Sequence, residues 1–264
     1  MLRVPKSRYK EEQKMTKTLT GRVALVTGAS SGIGEAAAIA LAEAGADIAI
    51  SARRADRLEA LKAKIEALGV KVLALPGDVV DEKIATEAVE KTVAHFGKLD
   101  ILVNSAGIMH MGTTEGTDLA EFRRVMDVNL LGTVYTCKAA IAPMKAQGRG
   151  DIINISSQAG RKTGPMVGAY SASKHALNAM SDSMRQEVGG FGIRVCVLMP
   201  GATTTEVATS ISDPNFRAAI QSHVTKDGAV AASEIADAIV FIVSQPQRVN
   251  IDLISVRPTL DTSA

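Results

Sequence analysis

From Arg22 onward, short runs rich in β-branched residues alternate with longer, alanine-rich segments of helical period, and few folds accept that order. The strand-like runs are residues 23–27, 47–51, 71–76, 101–104, 151–156 and 193–199, with a weaker one at 252–256. Between them, residues 34–43, 55–68, 82–95 and 119–138 carry helical spacing. Strand and helix in alternation predict a single parallel sheet, doubly wound, with helices on both faces. Strands buried on two sides want aliphatic residues, and the chain is 46% hydrophobic but only 3% aromatic. Its 264 residues fit one α/β domain of ordinary size. In such a fold ligands bind at the carboxyl ends of the strands, so the turns that follow the strands are where chemistry is expected.

Composition excludes several function classes. A net charge of +2 gives no reason to expect a nucleic-acid partner. The two cysteines, Cys137 and Cys196, lie in apolar runs and read as small core residues, with neither a disulfide framework nor a metal pattern. A reducing compartment, hence the cytoplasm, is expected. No apolar run approaches the roughly 18 residues that span a bilayer, and no apolar stretch marks a secretory signal, so no membrane association is expected. Residues 1–20 are rich in Lys, Arg, Glu and Thr and hold a second methionine, Met15. They read as a disordered extension or the product of an upstream start codon. A targeting peptide is disfavoured, because Glu11 and Glu12 spoil an organellar pattern. The folded domain is expected to occupy residues 21–264.

The first strand runs directly into Thr27-Gly28-Ala29-Ser30-Ser31-Gly32-Ile33-Gly34. Glycine at 28, 32 and 34 permits positive φ and close backbone approach, and a helix starting here points free N–H groups at a phosphate. Tight strand-to-helix turns want glycine for their own sake, so the turn alone is a weak signal. Further on, Tyr170 precedes Lys174 by four residues, with Ser157 upstream. On a helix that spacing sets phenol and ammonium on one face. A nearby ammonium favours the phenolate and lowers a pKa otherwise near 10, which suits acid–base work. Tyr-x-x-x-Lys also occurs on helices that do no chemistry.

Taken together and in order, these motifs resemble the short-chain dehydrogenases/reductases from about Gly21 to the C-terminus. Thr27 to Gly34 looks like that family's cofactor turn, and Asn104-Ser105-Ala106-Gly107 looks like its N-N-A-G motif with serine in second place. Asp78-Val79 matches the pair that contacts the adenine ring, and Asn129 matches a fourth catalytic member beside Ser157, Tyr170 and Lys174. Pro200-Gly201 with Thr205 resembles the loop that holds the nicotinamide carboxamide, although Thr203 stands where Val or Ile is usual. The closing Ile254-Ser255-Val256-Arg257-Pro258-Thr259 is similar to the subgroup of 3-hydroxy acid dehydrogenases and clavulanate-type aldehyde reductases.

The resemblance implies a Rossmann-like fold and an oxidoreductase that interconverts a carbonyl and an alcohol by hydride transfer. Tyr170 would be the general acid or base, Ser157 would orient the substrate oxygen, and Lys174 would lower the tyrosine pKa and bond the nicotinamide ribose. Asn129 would hold a water linking the lysine to solvent, or satisfy a kinked helix backbone, or both. Cofactor contacts are expected from Gly28, Ser30, Ser31, Gly32, Ile33, Gly34, Asp78, Val79, Asn104, Ala106, Gly107, Tyr170, Lys174, Pro200, Gly201, Thr203 and Thr205.

The cofactor is expected to be NADP, because Ala52 stands where a ribose-binding acid would select NAD, and Arg53 and Arg54 follow with forks suited to a 2′-phosphate. NAD dependence, or an idle dinucleotide-binding regulator, are the alternatives. The expected partner is a small carbonyl or alcohol, and the expected assembly a homotetramer, with a dimer second. His110 is expected in a solvated loop at the substrate cleft, while His95, His175 and His223 lack the neighbours of metal ligands. Gln158, Met166, Met199 and Thr203 are candidate pocket lining.

Overall fold

The computed structural model describes residues 18–226 and 228–261. The seven runs expected as strands pair into one parallel sheet: β1 Val23–Thr27, β2 Asp47–Ala52, β3 Val72–Pro76, β4 Ile101–Asn104, β5 Gly150–Ile155, β6 Ile193–Pro200 and, late in the chain, β9 Leu253–Val256. Their order is β3-β2-β1-β4-β5-β6-β9. The chain moves outward from β1 to β3, then crosses back to place β4 on the other side of β1, where Val26 pairs both Ile50 and Val103. That reversal opens a crevice above β1 and β4.

Alternating side chains of the strands feed two cores. Ala24 and Val26 of β1 face one side, where they pack with Leu41 of α1 (Gly32–Glu43) and Ile239 of α8 (Ala232–Ser244). Leu25 faces the other, with Met144 of α5 (Gly132–Gln147) and Val188 of α6 (Gly168–Val188). The remaining helices are α2 (Ala55–Glu66), α3 (Glu82–Phe96), α4 (Leu119–Met126) and α7 (Pro214–Lys226). A two-stranded ladder of β7 (Thr203–Thr204) and β8 (Val230–Ala231) lies apart from the main sheet. The spacing of the sequence did not mark α7, α8 or this ladder.

Two expectations need correcting. The helix expected over 119–138 is interrupted after α4 by a π-helical turn, Asp127–Leu131, before α5 begins. Its cause is Asn129, whose buried amide bonds the backbone of Ile108 on a neighbouring loop and so anchors this turn from outside its own helix. Leu19, which falls within the extension expected over residues 1–20, is instead 1% exposed inside the core and donates its N–H to the Ala44 carbonyl. The rest of that expected extension, residues 1–17, lies outside the described residues.

The end of the sheet where the strands begin is closed by buried charge. The Asp151 carboxylate lies between the guanidinium groups of Arg22 and Arg194. Arg194 also donates to the carbonyls of Val243, Gln245 and Val249, tying the end of α8 to the sheet. Beside it Asp100, 2% exposed, accepts from the Val23 amide and pairs with Lys98 and Arg149. Although burial opposes its charge, the Val23 amide and the flanking cations hold its carboxyl below the ordinary value.

Candidate active site

At the opposite end, the strands terminate in a cleft of about 290 Å³. Its first wall is the β1–α1 turn. Gly28 sits at φ 66° and a Cβ there would stand 2.6 Å from the Ala106 nitrogen, so only glycine lets β1 and β4 end side by side. Gly34 lies deeper, where a Cβ would meet the Gly28 carbonyl at 2.4 Å; it packs the helix and does not line the cleft. Ser31 occupies the N-cap of α1 without a side-chain cap bond, so its hydroxyl leaves the first amides of the helix open toward the cleft. Gly28, Ser30, Ser31, Gly32 and Ile33 all line it, as the sequence implied.

Asp78, Val79, Ala106 and Gly107 form the next wall, and Pro200, Gly201, Thr203 and Thr205 the far side. Asn104 does not reach the cleft. Its amide donates to Asn154 at 2.9 Å and accepts from Thr136 at 2.7 Å, and Asn154 continues to Ser181 at 2.8 Å. This web fastens β4 and β5 to the helices behind them, so the Asn104 side chain supports the site from below. Of the residues expected to line a substrate pocket, only Thr203 does so. Gln158 is turned away to the Met199 carbonyl and Arg257, and Met199 is buried in β6. Met166 takes a left-handed φ of 69° outside the cleft wall.

The proton-handling group is assembled from two elements. Ser157 caps the short 3-10 turn that follows β5, its hydroxyl accepting from the Ala159 amide at 3.1 Å. Tyr170 and Lys174 stand one turn apart on α6, and all three border the cleft. Lys174 is 4% exposed; its Nζ donates to the Ile155 carbonyl at 2.8 Å and lies 5.9 Å from the centroid of the Tyr170 ring. Burial pushes its pKa down to about 8.

The expectation that Lys174 lowers the Tyr170 pKa is corrected. Desolvation raises the phenol above its ordinary value, and the opposing influence is a hydrogen bond with Ser157. The ammonium spends itself on a carbonyl instead. Asn129 is fully buried and does not line the cleft; besides Ile108 it donates to Ser173 at 3.0 Å. It still adjoins the lysine, because a Cβ on Gly107 would stand 3.5 Å from Asn129 Oδ1 and 3.7 Å from Lys174 Nζ.

Arg54 borders the cleft at the end of β2, donating to the hydroxyls of Ser30 and Ser31 at 2.9 and 2.8 Å. Arg53 also lines it but is more exposed, 3.8 Å from Asp78, and Ala52 opens the floor between them. The sequence reading missed Glu206, which lies beside the cleft and binds both Arg54 and Arg57. The described histidine side chains do not line the cleft. His110 lies 3.8 Å from Glu121, His175 contacts the Ser171 carbonyl, and His95 packs edge-on against Phe96. The side chain of His223 lies outside the described residues.

Uncapped helix amides, an arginine fork held by hydroxyls and an alanine, not a carboxylate, at the end of β2 suit a nicotinamide dinucleotide. Residues 22–215 match the short chain dehydrogenase family. The chain belongs to the short-chain dehydrogenase/reductase family, oxidoreductases that bind nicotinamide dinucleotides.

Among relatives, a glycine betaine reductase of Emericella nidulans is 40% identical over 91% of this chain, which spans only 19% of that protein. An uncharacterized oxidoreductase of Staphylococcus aureus is 34% identical over 91% of this chain and 98% of its own length. Among solved structures, an alcohol dehydrogenase of the archaeon Thermococcus sibiricus complexed with 5-hydroxy-NADP superposes with TM-score 0.83, at 30% identity, over 92% of this chain and 99% of that one. A NAD+-bound xylitol dehydrogenase gives 0.81 at 28% identity, over 90% of this chain and 98% of that one.

Proposed function

We propose that this protein is an NADP(H)-dependent reductase and dehydrogenase that interconverts a small carbonyl compound and its alcohol, with Tyr170 as the proton donor and acceptor. The observation that carries the reading is the meeting of Ser157, Tyr170 and Lys174 on one wall of the cleft that the β1–α1 turn opens. Bound along that cleft, the nicotinamide would supply or take up the hydride. Ser157 holds the substrate oxygen and orients it toward the phenol. Tyr170 gives that oxygen its proton in reduction and takes it back in oxidation. Lys174 keeps a cation close behind the tyrosine and Asn129 fixes the loop that carries Gly107.

Preference for NADP follows from Arg54 and from the missing carboxylate at Ala52. The Thermococcus sibiricus neighbour holding an NADP derivative is in keeping with that choice. We read the chain as one oxidoreductase domain that begins by Leu19, works in the cytoplasm and assembles as a homotetramer, with no nucleic-acid or membrane partner. Among the described residues, no helix is long and apolar enough to cross a membrane. The test is a panel of ketones, aldehydes and hydroxy acids assayed with NADPH, NADH, NADP+ and NAD+. Turnover with NADPH at higher kcat/KM than NADH is expected; equal or better efficiency with NADH overturns the cofactor assignment, and no turnover across the panel overturns the enzyme reading.

A further inference from the structure

The mouth of the cleft holds a carboxylate for which the proton chemistry has no use. Glu206 follows β7, one residue beyond Thr205, and reaches back to the β2–α2 junction. One of its oxygens accepts from Arg54 at 3.0 Å, and both accept from Arg57 at 2.7 and 2.9 Å. These two arginines hold its pKa below the ordinary carboxylate value, so it is ionised wherever the protein is folded at neutral pH. Arg54 therefore divides its fork between the serine hydroxyls of the β1–α1 turn on one side and an internal anion on the other. Arg57, one helical turn along α2, binds the same anion with one of its nitrogens on both oxygens.

The geometry points to a specificity-determining role for Glu206: it is a built-in competitor that occupies the Arg54 guanidinium until the 2′-phosphate of the nucleotide displaces it. The inference rests on the NADP reading above and deepens it. A phosphate dianion carries more charge and more acceptor oxygens than a carboxylate, so the exchange runs toward the nucleotide. NAD, lacking the phosphate, leaves Glu206 in place. Glu206 thus lowers affinity for the phosphorylated cofactor without touching that for NAD.

The test is isothermal titration calorimetry of NADP+, 2′,5′-ADP and NAD+ into the protein and into Glu206→Gln, an exposed substitution that removes charge and keeps shape. Exposed ion pairs of this kind, at up to about 1 kcal/mol each, shift an equilibrium by about two- to fivefold. Glu206→Gln should tighten NADP+ and 2′,5′-ADP by that factor and leave NAD+ within about twofold. If the unmodified protein prefers NADP+ but Glu206→Gln binds it no better or worse, the competitor role falls and the NADP reading stands. If the unmodified protein shows no preference and Glu206→Gln acquires one, the competitor role stands and the NADP reading of the natural protein falls. If neither prefers NADP+, both fall.

Discussion

Lys174→Met should make the cofactor-free protein more stable while removing its activity. In the fold the lysine has a pKa of about 8, against an ordinary value of 10.5. At about 1.4 kcal/mol per unit, keeping that ammonium buried costs about 3 kcal/mol at neutral pH. Methionine fills a similar volume without charge, but it forfeits the Nζ bond to the Ile155 carbonyl, which offsets about 1 to 2 kcal/mol. A net gain of about 1 to 2 kcal/mol remains. The pH dependence separates this cause from ordinary repacking. Between pH 8 and 10.5 the unfolded chain still holds the lysine proton and the folded chain has lost it, so natural stability rises with pH through that window. The advantage of Lys174→Met is therefore full below pH 8 and shrinks as pH approaches 10.5. Urea unfolding of both proteins without nucleotide, from pH 7 to 10, measures it. A variant less stable than the natural protein at pH 7, or a stability gap that does not change with pH, refutes the reasoning.

Tyr170→Phe should lower kcat by about 10² to 10⁴ and leave NADP+ affinity nearly unchanged, since only the proton is lost; steady-state rates and calorimetry check this, and more than about a tenth of natural activity contradicts it. Ala52→Asp with Arg54→Ala should move the kcat/KM preference toward NADH, because two contacts to a charged group, each worth roughly 1.5 to 3 kcal/mol, are replaced by a carboxylate that repels phosphate. Asp151→Ala leaves Arg22 and Arg194 buried without their shared counter-charge and should destabilise by about 3 to 5 kcal/mol in thermal or urea unfolding, with kcat/KM of the folded fraction intact.

The central strands were legible to within a residue at either end because aliphatic runs buried on two faces leave a continuous signal, and β1 matches its expected bounds at Val23–Thr27, whereas the half-exposed edge strand β9 gave only a weaker run. Most of the cleft was legible for a related reason: its turns follow those strands directly. What escaped depends on contacts between distant parts of the chain. The break in the helix over 119–138 arises from the hold of Asn129 on Ile108, and helical spacing carries no trace of it. Asn104 falls in a cofactor-like motif yet spends its amide on Asn154 and Thr136. Glu206 meets Arg54 across 152 positions, so no local pattern announces it. The Tyr170 pKa was misread because spacing places two groups on a helix face without saying how much water each one loses.

The Arg22, Asp151 and Arg194 clasp sits where the strands start, and the chemistry sits where they finish. Parallel strands make that separation general, since every connection that shapes the cleft leaves from the end remote from the clasp. Loops around the cleft can then be lengthened, shortened or exchanged without touching the buried charges that anchor the sheet. For protein engineering this makes the segment between β6 and α8 a graft site, where new substrate preference can be introduced while the melting behaviour stays that of the host.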